Sequence, residues 1–170
     1  MKRHEEGTFA MMAVLYSPKH LLLIKNLKEV NERRYWKFIG ETSKKGELPL
    51  NALVRALWEE GGFCIYAEYD DLGMVKKIGD DTAVVKMVHP PITIHPSATR
   101  KGQGALSHEQ HFYKVRLTDR RLLDLSGKIF SGPDDDELFE TKAVPLMAPW
   151  KMPDFFPVHY RLFDSLLRAA

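Results

Sequence analysis

Cysteine is nearly absent: Cys64 is the only one in 170 residues, so no disulfide can form within the chain. That usage suits a reducing compartment, and a cytoplasmic location is expected. Long apolar runs are missing too. None approaches the ~20 residues a helix needs to cross a bilayer, so no membrane role is expected. The N-terminal stretch 1–16 is basic and then apolar, but Glu5 and Glu6 interrupt it and it stops at Ser17-Pro18 without a small-residue cleavage site. It reads as a first strand, not a signal peptide. Nor is there an excess of one charge. A net charge of +2, with no basic strand studded with aromatics, gives no reason to expect nucleic acid as a partner. Internal repeats, low-complexity tracts and interdomain linkers are also lacking. What is present is ordinary globular composition, 44% hydrophobic and 28% charged, which suits one domain over 1–170 with its own core.

Apolar runs of strand length at 8–16 and 20–26, joined by a Ser-Pro turn, predict a hairpin. A charged loop, 28–34, leads to a third strand at 35–39 and a polar loop at 40–48. Pro49 suits the first position of a helix, where a missing N–H costs nothing. Leu50, Leu53, Val54, Leu57 and Trp58 follow at helical spacing, and Gly61-Gly62 ends the helix. Leu57 and Trp58 are therefore assigned to the core, and Cys64, opening the next strand, is expected to be a small buried hydrophobe. Further strands are expected at 63–69, 74–78, 82–88, 110–117 and 140–146. Between them, 89–106 reads as a long mobile loop, because it carries Pro90, Pro91, Pro96, Gly102 and Gly104 without periodicity. The region 120–136 is mixed and ends in an acidic turn, Asp134-Asp135-Asp136, expected to be solvated. A terminal helix is expected at 157–168. This order of elements suggests an α/β sandwich, and its strand edges are compatible with a homodimer.

Chemistry concentrates at the end of the first helix, where Glu59 and Glu60 stand together. Carboxylates are misplaced there, because the last turn is the negative end of the helix dipole and each loses a few tenths of a kcal/mol up to ~1. Taken alone, the pair reads as a solvated helix end. It does not stand alone. Glu47 lies upstream, Arg55 follows after seven intervening residues, and Leu57, Glu59-Glu60, Gly62 and Phe63 complete a fixed spacing. This arrangement resembles the signature of the Nudix hydrolase family, G-x5-E-x7-R-E-U-x-E-E-x-G-U, with U a bulky apolar residue. The stretch 36–41, Trp-Lys-Phe-Ile-Gly-Glu, echoes the turn that leads into it. Two positions depart from the pattern: Glu41 stands for the signature glycine, and Ala56 for the glutamate after the arginine.

The resemblance implies a Nudix-like α/β/α sandwich with a mixed central sheet. It also implies a divalent cation, Mg²⁺ or Mn²⁺, held by carboxylate oxygens and used to cleave a pyrophosphate bond in a small nucleotide-type substrate. On that pattern Glu59 and Glu60 are the main metal ligands, Glu47 supports them, and Arg55 orients the acidic cluster. Glu41, outside that pattern, is an extra carboxylate expected to replace part of what is lost at Ala56. A further acid from a later loop is expected to complete the catalytic set; Glu140 is the first choice, with Glu137 and Glu109 as alternatives. The loss of a ligand at Ala56 keeps a second reading open: a Nudix-fold module that binds a nucleotide or protein partner without turning it over. His89, His95, His108 and His111 lack a compact metal spacing. Arg100 and Lys101, with His95 and His108, are candidates to meet substrate phosphate from the long loop.

Overall fold

The computed structural model describes residues 8–28, 34–80, 82–87, 92–94, 108–156 and 159. Strand β1 (Ala10–Tyr16) turns into β2 (His20–Asn26), and β3 (Ile39–Thr42) leads through a polar loop to α1 (Pro49–Gly61). A small hairpin follows, β4 (Ala67–Tyr69) and β5 (Val75–Ile78), then β6 (Ala83–Met87), β7 (Ile92–Ile94) and β8 (His108–Leu117). The short helix α2 (Asp119–Asp124), β9 (Ile129–Ser131), β10 (Leu138–Pro145) and a 3-10 turn at Ala148–Lys151 complete the described chain.

The main sheet runs β6-β8-β1-β2-β10-β9, with β3 also pairing β1 and β7 also pairing β8. β1 and β8 are parallel, in register from Ala10 opposite Gln110 to Tyr16 opposite Arg116, while the other pairs are antiparallel. The sheet is therefore mixed and the fold α/β, as expected. Alternation along the strands divides the core between the two faces. On one face Met11, Ala13 and Leu15 of β1 and Leu22 and Ile24 of β2 pack with Ala52, Leu53, Ala56 and Leu57 of α1 and Leu122 of α2. On the other, Val14, Leu21, Leu23 and Phe112 pack with Trp36, Phe38 and Phe155. His159 closes this second face: Phe38 N–H donates to its Nδ1 at 3.2 Å, and the rings stack with centroids 5.2 Å apart. Burial pushes its pKa down to about 3, so it stays neutral and serves as an acceptor. The rest of the terminal helix expected at 157–168 lies outside the described residues, as does most of the expected loop at 89–106.

Several expectations need correction. The third strand starts at Ile39, not at residue 35. Trp36 and Lys37 make only isolated bridges to Phe155 and Ile24, whereas Ile39–Thr42 pairs with the first half of β1. Gly40 and Glu41 are therefore strand residues, not loop. Residues 63–66 form no ladder, yet they still alternate. Phe63 and Ile65 are buried, while Cys64 is exposed, contrary to its assignment as a buried hydrophobe. Trp58, assigned to the core, is 62% exposed. It shares the outer stripe of α1 with Asn51, Val54 and Arg55, at i, i+3, i+4 and i+7, whereas Leu57 sits on the inner side and is fully buried. The mixed region 120–136 holds most of α2 and all of β9, and β10 starts at Leu138, before residue 140.

Candidate active site

Helix α1 begins at Pro49 without a side-chain cap and ends at Gly62, whose φ of 62° provides the left-handed cap. Gly62 N–H donates to Trp58 O and Phe63 N–H to Leu57 O, which satisfies two terminal carbonyls. No basic residue lies in the last turn, so nothing there offsets the acidic pair against the dipole. The helix also sits close against β3. A Cβ on Gly61 would lie 2.8 Å from Ile39 Cδ1, closer than real contacts allow. That approach brings the end of α1 to the backbone of Gly40.

The two glutamates then part. Glu59 turns outward to Arg55, which lies one turn earlier. Arg55 donates from Nη1 to Glu59 Oε2 at 3.1 Å, from Nε and Nη2 to the two oxygens of Glu47 at 2.9 and 3.0 Å, and from Nη2 to Thr42 O at 3.1 Å. Glu41 Oε2 stands 3.8 Å from Nη1. The planar fork thus holds the strand end, the loop and the helix together. Glu47 in turn accepts from Lys44 N–H at 2.8 Å, which folds the loop around it. Its hydrogen bond with Arg55 draws its pKa below the ordinary 4.5, against the upward push of burial, and the same bond raises that of Arg55. The pairing of Arg55 with Glu59 expected from the i, i+4 spacing is present.

Glu60 turns inward. It is 7% exposed, and Gly40 N–H donates to its Oε2 at 3.0 Å. Burial first, and then the charge of Glu41, push its pKa up to about 8; Lys37 and the Gly40 bond pull the other way, and Glu137 adds to the rise. Glu137 is itself raised, by burial and by Asp134, Glu41 and Asp136, against the lowering bond from Asp134 N–H. Glu41 and Glu137 thus add negative charge around Glu60, offset in part by Lys37; Arg55 bonds Glu47 and Glu59 and stands 3.8 Å from Glu41. Ala56 lies on the same inner side as Glu60, 0% exposed within the apolar cluster of α1 and β1.

Glu140 is placed elsewhere. Phe139 of β10 packs on the α1 face and Val144 on the other, so strand alternation directs Glu140 with Val144, away from α1. Of the expected later acids whose side chains are described, Glu137 is the one brought near Glu60. The Glu109 and His108 side chains, and Arg100, Lys101, His89 and His95 altogether, lie outside the described residues. His111 meets the Phe9 ring at a tilt of 59°, with centroids 4.7 Å apart. Asp134, Asp135 and Asp136 form an exposed turn, as expected. The Gly40 N–H and the Thr42 carbonyl were not foreseen, since backbone donors and acceptors leave no mark in residue type.

The donor chemistry fits a hard divalent cation: carboxylate oxygens only, mutually repelling, one of them buried. Among the described residues no three acidic, cysteine or histidine side chains are gathered closely enough to enclose an ion, so holding one would require side-chain rotation.

A NUDIX domain model matches residues 8–166. The chain belongs to the NUDIX family. No curated protein matches the sequence. Among solved structures, this NUDIX chain is similar to MutT of Aliivibrio salmonicida and Vibrio cholerae, with a TM-score of 0.53 at 12% identity, covering 96% of this chain and 98% of the other. It is also similar to an ADP compounds hydrolase, with a TM-score of 0.53 at 18% identity over 95% of this chain and 71% of the other. A mutT/nudix family protein from Listeria innocua gives 0.52 at 17% identity over 98% and 95%. At these identities the likeness is one of fold, and the sheet and helices are consistent with the NUDIX α/β/α sandwich. No helix among the described residues is long and apolar enough to cross a membrane.

Proposed function

We propose that this NUDIX protein is a divalent-metal-dependent hydrolase that cleaves a pyrophosphate bond in a nucleotide-type small molecule. One observation carries the reading. Glu60 is a buried carboxylate whose charged form is opposed by Glu41 and Glu137, an arrangement that a cation relieves. Among the structural neighbours, the ADP compounds hydrolase agrees with this reading by its name.

Glu60, Glu41, Glu59 and Glu137 are the residues that would hold Mg²⁺ or Mn²⁺, and a bound ion would supply Lewis-acid stabilisation of charge on the phosphoryl oxygens. The chain's own residues prepare that site. Gly40 N–H holds the Glu60 carboxylate in place, and Glu60 would give up its proton on metal binding. Arg55 fixes Glu59 at the rim and Glu47 behind it, so Glu47 acts as a buttress for Arg55 more than as a ligand. Glu137 takes the role assigned from the sequence to Glu140, because Glu140 is directed away from α1. Arg100 and Lys101 remain the loop candidates for phosphate. With one exposed cysteine and near-balanced charge, the reading is completed by a cytoplasmic setting and no nucleic-acid partner. The test is a panel of nucleoside triphosphates, dinucleotide polyphosphates and nucleotide sugars with Mg²⁺ or Mn²⁺, followed for phosphate and nucleotide products. Turnover that needs the metal supports the enzyme.

A second reading, a module that binds nucleotide without turnover, is favoured by Ala56 alone. Its position is closed by apolar neighbours, so the missing carboxylate is not a surface change that a nearby residue simply replaces. Binding across the panel without products would favour this reading. Ala56→Glu probes the same point. It places a charge in the apolar cluster and is expected to cost the metal-free protein about 3 kcal/mol or more, roughly 6–12 °C in melting temperature. Saturating Mn²⁺ is expected to restore part of that loss, and melting curves with EDTA and with Mn²⁺ read both effects.

A further inference from the structure

The outer face of α1 and the β4–β5 hairpin form a surface from which the proposed chemistry draws only Arg55. Asn51, Val54, Arg55 and Trp58 run along the helix, and residues 64–67 and 69 lie beside them, leaving a groove of about 590 Å³. Trp58, Tyr66 and Tyr69 wall it and stand 62%, 59% and 42% exposed. The adjoining hairpin carries Leu72 at its turn, 88% exposed, with Met74 at 64% and Val75 at 43%. The turn is well defined: Asp70 Oδ1 accepts from Leu72 N–H at 2.9 Å and Met74 N–H at 2.8 Å, and Gly73 adopts a φ of 77°. An ordered turn therefore presents an apolar tip next to an aromatic groove. Large apolar side chains gathered in this way mark an interaction surface.

We propose that this surface is the interface of a homodimer, in which the Leu72–Met74 tip of each copy seats in the Trp58–Tyr66–Tyr69 groove of the other. A two-fold axis brings a patch against itself, so it requires knob and hole on one surface, and both are here. Charge agrees. Asp70 and Asp71 at the turn and Lys76 and Lys77 on β5 are all exposed, so the hairpin carries both signs and can meet a second copy with each sign opposite the other. Area agrees as well. The six apolar and aromatic side chains expose on the order of 700 Å² together, against the ~800 Å² per partner of a standard interface. Further, β4 and β5 form a two-stranded sheet apart from the main one; Ile78 at its base packs on the core, while Leu72 at its tip is uncovered. A small ligand in the groove would leave Leu72 in water; a second copy covers groove and tip together.

Sedimentation of the full chain over roughly 1–100 µM, the range in which modest interfaces dissociate, is the first arm of the test. The parent is expected to be dimeric. Leu72→Asp is expected to weaken association roughly 100-fold or more by placing a charge in the groove, with an unchanged melting curve of the monomer fraction because Leu72 is exposed. The second arm uses Cys64, which lines the groove. In Leu72→Cys, a short bis-maleimide is expected to join the introduced thiol of one copy to Cys64 of the other, and the product is expected to vanish when Cys64→Ser is added. A parent that is monomeric throughout overturns the proposal and leaves the groove to another segment or a ligand. A dimer that survives Leu72→Asp overturns it too, as does a dimer whose cross-link does not depend on Cys64.

Discussion

Glu60→Gln is expected to cut turnover sharply and, in metal-free protein, to raise stability. The two effects share one cause. The folded protein holds the Glu60 carboxyl with a pKa of about 8, against an ordinary 4.5. Between those values the folded state keeps a proton that the unfolded state has lost, so stability is fully present below pH 4.5 and is lost as pH rises towards 8. Glutamine keeps an oxygen for the Gly40 N–H and has no charge to bury, so it is free of that loss. The variant is expected to exceed the parent by on the order of 4 kcal/mol at pH 8, roughly 8–16 °C, with the gap closing below pH 5. Activity is expected to fall about 100- to 1000-fold, the scale seen when one charge-stabilising group is removed. Melting curves with EDTA from pH 5 to 9, and product assays at pH 8, read the two halves. A variant less stable than the parent at pH 8 would show that Glu60 is not held against its charge.

Arg55→Met is expected to be the most damaging change around the loop. It removes the fork that joins Glu47, Glu59 and Thr42 O, and it leaves Glu41, Glu47 and Glu59 close together without their shared cation. Arg55 is 17% exposed as a side chain, so the loss is set below that of a fully buried pair, at about 2–3 kcal/mol, with a lower melting temperature. The pH dependence runs opposite to that of Glu60. Arg55 holds the Glu47 pKa below 4.5, so its contribution is present above pH 4.5 and is lost as pH falls through the folded value. The gap between parent and variant therefore narrows in acid. Arg55→Lys keeps the charge but cannot fork, and is expected to recover only part of the loss. Denaturant midpoints at pH 7 and pH 4 for the three proteins separate these outcomes; equal gaps at both pH values would show that the charge pairing carries little of the effect.

The helix and its acidic end were readable because Pro49, Gly61-Gly62 and a 3.6-residue pattern punctuate them strongly. The helical stripe also held the fate of Glu60, which falls four residues after Ala56 and three after Leu57, on the buried side. Reading Glu59 and Glu60 as one pair concealed that they face different surroundings. Trp58 misled for a related reason. Its residue type suggests the core, but its angle puts it with Asn51 and Arg55. The start of β3 was not legible, because Ile-Gly-Glu-Thr shows no alternation and its strand character comes from the free half of β1 beside it. Choosing Glu137 over Glu140 likewise needed the sheet, since only the register of β10 shows which face each carboxyl takes.

Calorimetric titration of Mn²⁺ into parent and Glu60→Gln at pH 7, in two buffers of different ionisation enthalpy, tests the central claim most directly. The account predicts Mn²⁺ binding to the parent with release of close to one proton per ion, because the metal must displace the proton held on Glu60. It predicts weak binding without that release in the variant. Mn²⁺ binding of equal strength and equal proton release in the two proteins would contradict it.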